Sequence, residues 1–369
     1  MQSILQIVLE ILRKKEAIIL RFYIMTAVIT IAALIISISF RFDFWNQHEL
    51  PYDDEQIGLD DQIVINFSHV VAENTPKGLA ASKFAELIEE KSNGNMIVQI
   101  YPNGILYNDK TELAALQEGD VQMIAPTISK MTEELPSWQV LDLPFLFEND
   151  EQVYEVLHGP LSEQLLKELE SIHIHGLTFW HNGFKQIAAK NGPMLETSDF
   201  IGLTMRSMPS KVLIKQIQLL HADPIVTSFN DLYASIQNKN IASQENTISN
   251  IYSKGYYTMH PHITLSNHGI LAYSILMNAD FWNNLTAQQQ QIITESIDEL
   301  QRWQHDAAIK LNNENLQQLL HSDHAQLYTL TKEQRNSWVK ALQPIYHYYE
   351  QQTSTNYLQQ LQEELSAVQ

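Results

Sequence analysis

Fourteen histidines and no cysteine bound the chemistry this chain could attempt. Without thiols there is no disulfide scaffold, thiolate metal site, cysteine nucleophile or lipidated N-terminal cysteine. The histidines include two close pairs, His173 with His175 and His260 with His262. On a strand, i,i+2 spacing puts both imidazoles on one face, where they can hold a metal. Glu170 lies three residues before His173, but a predicted helix-to-strand boundary separates them, and ordinary strand or surface histidines account for all four positions. The carboxylate pair Glu89-Glu90 lies opposite the apolar face of its predicted helix and reads as solvated. No G-x-S-x-G, H-E-x-x-H, P-loop or G-x-G-x-x-G sequence occurs. With no nucleophile, metal set or nucleotide cradle legible, the chain reads as a binder rather than an enzyme, with no cofactor and no metal.

The elements that would carry a binding site alternate between strand and helix. Ile63 to Phe67 is a short β-rich run, followed by Thr75-Pro76 as an N-cap with proline at the first helical position. Ala80, Phe84, Leu87 and Ile88 then share one helical face, and Asn93-Gly94 stops the helix. Met96–Tyr101, Val121–Ala125, His175–Trp180, Leu203–Met205 and His268–Met277 are further strand candidates. Lys211 to Leu220 and Phe229 to Ile236 have helical patterns between them. Such alternation predicts α/β lobes with mostly parallel sheets. From Thr286 to about Leu320 there is neither Gly nor Pro, and Thr286 with Gln289 fits a capping box. One helix of that length would be ~50 Å long and could brace two lobes; the alternative is two helices broken near Asn312-Asn313. A last helical region runs from Thr331 to the end, interrupted at Pro344, and its Tyr346, Tyr348, Tyr349 and Tyr357 read as packing.

Charge and the N-terminus bear on compartment and partners. Forty-three acidic against 23 basic residues give a net charge of −20, a field that repels nucleic acid. An anion site would then be a small basic focus within an acidic surface. Arg13, Lys14, Lys15 and Arg21 precede the apolar run Phe22–Phe40, long enough to reach across ~30 Å of hydrocarbon. Positive charge before the run orients the N-terminus to the cytoplasm, so everything from Arg41 onward is expected to be exported. The run serves either as an uncleaved anchor or as a removed signal, since Ser37-Ile38-Ser39 is a poor cleavage site. Ile4, Val8, Ile11 and Leu12 suit a short interfacial helix before it. Residues 1–41 are thus a cytoplasmic N-terminus with anchor or signal, and 42–61 a polar, acidic linker.

Four ordered stretches resemble the solute-binding proteins of tripartite ATP-independent periplasmic (TRAP) transporters, in particular their dicarboxylate-binding branch. They are Phe67-Ser68-His69-Val70-Val71 leading into Glu73 to Gly78; Tyr101-Pro102-Asn103 with Leu113 to Met123 and Leu141 to Phe147; Asn182-Gly183-Phe184-Lys185 with Gly202 to Arg206; and Gln244-Glu245-Asn246 with Ser249 to Tyr252 and Leu265 to Gly269. The order holds from about residue 62 to beyond 300, although Ala242-Ser243 and Thr247 depart from the usual pattern around Gln-Glu-Asn.

The resemblance implies a two-lobed α/β fold with a central cleft, crossover strands and a long helix spanning both lobes. Lobe I would comprise 62–182 with about 272–311, and lobe II 183–271 with about 312–369. By position, the family's carboxylate-binding arginine falls on Arg206, whose planar fork suits a carboxylate. Lys185 stands where relatives carry arginine or lysine, and Asn246 matches an asparagine whose amide can donate to a carboxylate or, alternatively, cap a helix. His69, Asn74, Lys77 and Thr127 are further candidates for contacts from the other lobe. The implied function is capture of a small carboxylate, a four-carbon dicarboxylate such as succinate, malate or fumarate, and its delivery to a separate membrane permease. The implied location is the periplasm, with residues 22–40 as a tether to the inner membrane. Two rivals share the pocket: a membrane-anchored sensor, which the roughly 21 residues before the run leave without a signalling domain, and an exported enzyme acting on a carboxylate, which would need an acid–base pair or metal in the cleft.

Overall fold

A computed structural model describes residues 25–31, 62–238 and 241–368, and divides the chain into units of residues 1–61 and 62–369. Of the first unit, residues 25–31 are helical, and Met25, Val28, Ile29 and Ile31 are exposed. The rest of the apolar run 22–40, the preceding interfacial helix and the linker 42–61 lie outside the described residues. Among the described residues no helix is long and apolar enough to cross a membrane.

In the second unit local signals become elements almost where the sequence sets them. β1 (Ile63–Ser68) buries Ile65 and Phe67 completely. The Thr75 hydroxyl accepts from the Gly78 amide at 3.3 Å, and Pro76 opens a helix that runs to Lys91. That helix buries Ala80, Phe84, Leu87 and Ile88 and leaves Glu89 and Glu90 exposed. β2 (Met96–Tyr101) follows, then the short β3 (Met123–Ile124).

The remaining strands are β4 (Ile174–Ala189), β5 (Thr204–Ser207), β6 (Asp223–Val226), β7 (Ser243–Thr247), β8 (His262–Leu265), β9 (Ile270–Asn278) and β10 (Gln326–Thr329). Hydrogen bonding connects them in the order β2-β1-β3-β9-β4-β7-β5-β6, with β8 on β4 and β10 on β8. The expectation of mostly parallel sheets needs correcting. Pairs β1–β2, β1–β3, β5–β6, β5–β7 and β8–β10 are parallel, whereas β3–β9, β4–β9, β4–β7 and β4–β8 are antiparallel. β4 is also sixteen residues long, well beyond the expected His175–Trp180. It is a crossover strand. Antiparallel to β9 from Ile174 to Phe184, it pairs with β7 from Lys185 to Ala189, so one strand belongs to both halves of the sheet.

A single helix, Ala287–Leu320, braces the two halves and runs unbroken through Asn312-Asn313. Thr286 and Gln289 form both bonds of the expected capping box. Ile293, Ile297 and Leu300 pack with Ile65, Phe67 and Trp180, while Leu319 packs with Ile248, Ile251 and Ile263. Between these two anchorages the helix grips β4 through amides. Gln304 accepts from His181 N at 3.0 Å and donates to His181 O at 2.6 Å, and Asn312 donates to Asn182 O at 2.7 Å while accepting from Ser249 N at 2.9 Å. This tertiary role accounts for asparagine at what reads locally as a break.

The region after Thr331 forms helices at Lys332–Leu342, Pro344–Gln352 and Tyr357–Ala367. Tyr346, Tyr349 and Tyr357 donate their hydroxyls to Pro144 O, Ser137 O and Glu168 Oε1, which is packing. The histidine pairs are structural too. His173 sits at φ 59° in a turn, His175 stacks on Trp282 at 4.0 Å, His260 bonds Ile241 O and His262 meets the Tyr328 hydroxyl. Among the described residues no cluster of three or more His, Asp or Glu is placed to hold a metal.

Candidate functional site

A cavity of about 230 Å³ opens between the two halves of the sheet. One wall comes from the loops and helices around β1, β3 and β9: Val70, Val71, Asp109, Glu112, Thr127, Lys130 and Tyr273. The other comes from β5, β6 and β7: Arg206, Met208, Thr227, Phe229, Glu245, Asn246 and Asn250. Three of the seven residues singled out from sequence, Arg206, Asn246 and Thr127, therefore meet at one cavity.

Arg206 lies on β5 beside Gln244 of β7 and is 3% exposed. Its Nε donates to Thr227 O at 3.1 Å, and the terminal nitrogens find no acceptor among the described residues. Burial pulls its pKa below the ordinary value, with Tyr256, Glu245 and Asp109 opposing, and a guanidinium in that position stays charged. The result is a desolvated cation with unused donors at the wall of a cavity.

Asn246 is oriented by its neighbours. Its Oδ1 accepts from Asn250 Nδ2 at 2.9 Å and Thr247 N at 3.0 Å, so the Nδ2 group is left to donate. The helix cap considered for it falls one residue later, where the Thr247 hydroxyl accepts from Asn250 N at 3.4 Å. Thr127 caps the short helix Ile128–Met131 and bridges to Tyr273 across the strands.

The other four candidates stand elsewhere. Lys185 is buried behind the wall, where its Nζ meets Glu245 Oε1 at 2.8 Å. The second oxygen of Glu245 takes His268 Nε2 at 2.8 Å, and His268 Nδ1 faces the Ser266 hydroxyl at 2.7 Å. Burial alone would raise Glu245, yet Lys185 and the His268 bond outweigh it and hold the carboxyl well below the usual carboxylate range. His268 is pulled below its ordinary value by burial and donates as a neutral ring. With Glu245 neutralised by Lys185, the charge of Arg206 is not spent inside the protein. Lys77 is fully buried, donating to Ala125 O at 2.7 Å with its ammonium 3.7 Å from the centre of the Tyr273 ring. Burial lowers its pKa to about 7 against the pull of Glu112 and Asp109. His69 packs edge-on against Phe67, and burial with nearby Lys77 pushes it down to about 3. Asn74 lies exposed in the turn before the first helix of this unit. None of these four is among the residues lining the cavity.

Glu112, Asp109, Lys130, Tyr273, Asn250 and Glu245 also line the cavity, although none of them stands out as a site residue in the sequence. Glu112 looks like an ordinary first-turn acid of the helix Glu112–Glu118. Tyr273 lies within an apolar strand. Glu245 and Asn250 lie within the matched stretches, and that placement was the one available signal.

The two walls are clasped at the cavity mouth. Asp109 Oδ2 accepts from Phe229 N at 2.7 Å, Asp109 N donates to Asn230 Oδ1 at 3.3 Å, and Lys110 pairs with Asp231 at 2.5 Å. These bonds tie the loop after β2 to the loop after β6, so the cavity is described in a closed form.

Comparison with known proteins agrees with this architecture. The family model for bacterial extracellular solute-binding proteins, family 7, matches residues 67–352. A C4-dicarboxylate-binding protein DctB of Bacillus subtilis is 42% identical over 308 residues, covering 84% of this chain and 88% of that one. The C4-dicarboxylate-binding periplasmic protein DctP of Shewanella loihica is 39% identical, over 78% of this chain and 85% of its own length. Among solved structures, a TRAP periplasmic solute-binding protein from Shewanella oneidensis with bound succinate aligns with a TM-score of 0.79 and 38% identity, over 82% of this chain and 99% of that one. One from Pseudomonas aeruginosa with bound L-malate aligns at 0.76 and 33%, over 78% and 100%.

Proposed function

The chain belongs to family 7 of the bacterial extracellular solute-binding proteins, and from that premise we propose that it captures a four-carbon dicarboxylate, such as succinate, malate or fumarate, in the periplasm and hands it to a TRAP membrane permease. The observation that carries this reading is Arg206: a buried guanidinium whose terminal donors are free at the wall of a 230 Å³ cavity. That volume is below the ~300–1,000 Å³ of pockets for drug-sized ligands and suits a small metabolite. Arg206 holds one carboxylate through its fork and Asn246 Nδ2 donates to the same end. Relatives named for C4-dicarboxylate binding, and neighbours holding succinate and malate, support the ligand class.

The role is binding without catalysis. Lobe I is 62–182 with about 272–311 and lobe II is 183–271 with about 312–369, a division supported by the change of partner along β4 after Phe184. Ligand favours closure by the contacts it makes with both walls and only one wall when open. Lys185 acts through Glu245, whose charge it cancels. Lys77 backs the cavity wall through Ala125 O and the Tyr273 ring, and His69 and Asn74 do not line the cavity. The apolar run 22–40 supports export with the N-terminus left inside, and the intact mass of protein recovered from membranes reads whether it stays as a tether.

The test is a thermal-shift and calorimetric panel of the exported part against succinate, malate, fumarate, keto acids and sialic acid. Wild type is expected to be stabilised by the C4 dicarboxylates, and Arg206→Ala to lose about 30-fold or more in affinity, in line with the ~2–5 kcal/mol cost of truncating one partner of a buried charge pair. Equal stabilisation of wild type and Arg206→Ala would remove the assignment.

A further inference from the structure

A dianion gripped at one end by Arg206 needs a donor at its other end, and the wall facing it from the first half of the sheet offers an unusual one. Glu112 lines the cavity, is 1% exposed, and its Oε2 is buried without a hydrogen-bond partner. A carboxylate held that way would be costly and would repel the ligand. Lys77 does not rescue it by contact, because its ammonium is committed to Ala125 O and the Tyr273 ring and comes within ion-pairing distance of no carboxylate among the described residues.

We propose that Glu112 contacts the bound dicarboxylate as a neutral carboxylic acid, donating its proton to the carboxylate that Arg206 does not hold, so that the captured species is the dianion together with one proton on the protein. This rests on the C4-dicarboxylate reading above. No bond to carbon changes; the proton stays on Glu112 and is shared in a hydrogen bond to the ligand oxygen, the short acid–anion kind that is stronger than a neutral bond. The neutral form suits the surroundings. Burial is the largest influence on Glu112 and raises its pKa to about 8, against the opposing charges of Lys77 and Lys130 and with help from Asp109. The other titratable groups around the cavity are Tyr273 from β9, Glu133, Lys110 and, from the opposite wall, Arg206 and Glu245. A bound anion at this position favours the protonated form further, so binding and protonation support each other.

The sign follows directly. Below about pH 8 Glu112 already carries its proton in the unliganded protein, so through this group affinity is flat with pH. Above that, affinity falls roughly tenfold per pH unit because a proton must be taken up with the ligand. Lys77, lowered to about 7, also loses charge in this range, and a variant separates the two. Succinate binding is measured by calorimetry from pH 6.5 to 9.5, at each pH in two buffers of different ionisation enthalpy, for wild type and Glu112→Gln. At pH 9 wild type is expected to take up close to one proton more per succinate than Glu112→Gln, whose binding is weaker at pH 7 but loses the tenfold-per-unit slope assigned to this group. Wild type that binds succinate with no proton uptake at pH 9 overturns the proposal without reference to any variant. Equal proton counts and parallel slopes in the two proteins overturn it as well and leave the ligand class standing. Wild type that binds no C4 dicarboxylate at pH 7 overturns the functional reading itself and this proposal with it.

Discussion

Arg206 can wait as an unpaired cation because the acid nearest to it on β7 is already engaged. Glu245 divides its two oxygens between Lys185 and His268 at 2.8 Å each. Removing one partner of such a pair strands the other, a loss of ~3–5 kcal/mol, whereas removing both charges is often close to neutral. Lys185→Met is therefore expected to destabilise the protein by that amount in urea unfolding, and Lys185→Met combined with Glu245→Gln to recover most of it. If the double variant is as unstable as the single one, the pair is not the reason Lys185 is there. The same pair fixes a pH response: the folded pKa of Glu245 is depressed, so its contribution is present above the unfolded value of ~4.3 and disappears as pH falls through the lower folded one.

Two elements translate residue chemistry into a hinged site, the crossover strand β4 and the long helix Ala287–Leu320. They meet just before β4 changes partner, at Gly183, whose φ is +129° and where an added Cβ would lie 2.7 Å from Asn312 Nδ2. Gly183→Ala is expected to cost ~1–3 kcal/mol from backbone strain alone, read by denaturant unfolding, with a further loss because Asn312 must shift from Asn182 O. A neutral result would mean that β4 relaxes freely there. At the cavity mouth the loops after β2 and β6 are joined in part by the exposed pair Lys110–Asp231. Exposed pairs are worth only ~0.2–1 kcal/mol and are screened by salt. Lys110→Ala should accordingly weaken ligand binding by no more than about fivefold at low salt and less at high salt; a loss of tenfold or more would make Lys110 a ligand contact rather than part of the clasp.

At the scale of the molecule, burial of titratable groups sets the response to acid. His69, His158, His175, His260, His268 and His305 are all held below the ordinary histidine value, chiefly by burial, and for His69, His260 and His305 to about 3, 4 and 4. Each binds a proton in the unfolded chain below pH ~6.5 before it does so in the folded one, so stability falls as pH drops through that point, by up to ~1.4 kcal/mol per unit for a fully buried ring. Glu112, raised by burial to about 8, works in the opposite direction over that range, and Asp142 and Glu364, also raised by burial, share its sign. The melting temperature of the exported part is expected to fall from pH 7 to pH 5; a flat or rising profile would mean that these rings open to solvent in the folded state.

What the chain encodes locally, it encodes legibly. The Thr75-Pro76 cap, β2 and the Thr286–Gln289 capping box depend on neighbours within a few residues, so spacing and residue type were enough to find them, whereas one helix or two beyond Thr286 stayed open until the contacts of Asn312 with Asn182 and Ser249 were seen. Arg206 and Asn246 were reached through motifs that resemble a family, Thr127 from its place just after a predicted strand, and the fold brings all three to one cavity. Tertiary structure decided the rest, because it depended on pairings between residues far apart in the chain. Sixty residues separate Lys185 from Glu245, and that contact turns an apparent ligand-binding lysine into the neutraliser of a buried acid. Glu112 reads as a routine helix-start acid until the fold buries it at the cavity wall near Lys77 and Asp109, where loss of water raises its pKa to about 8.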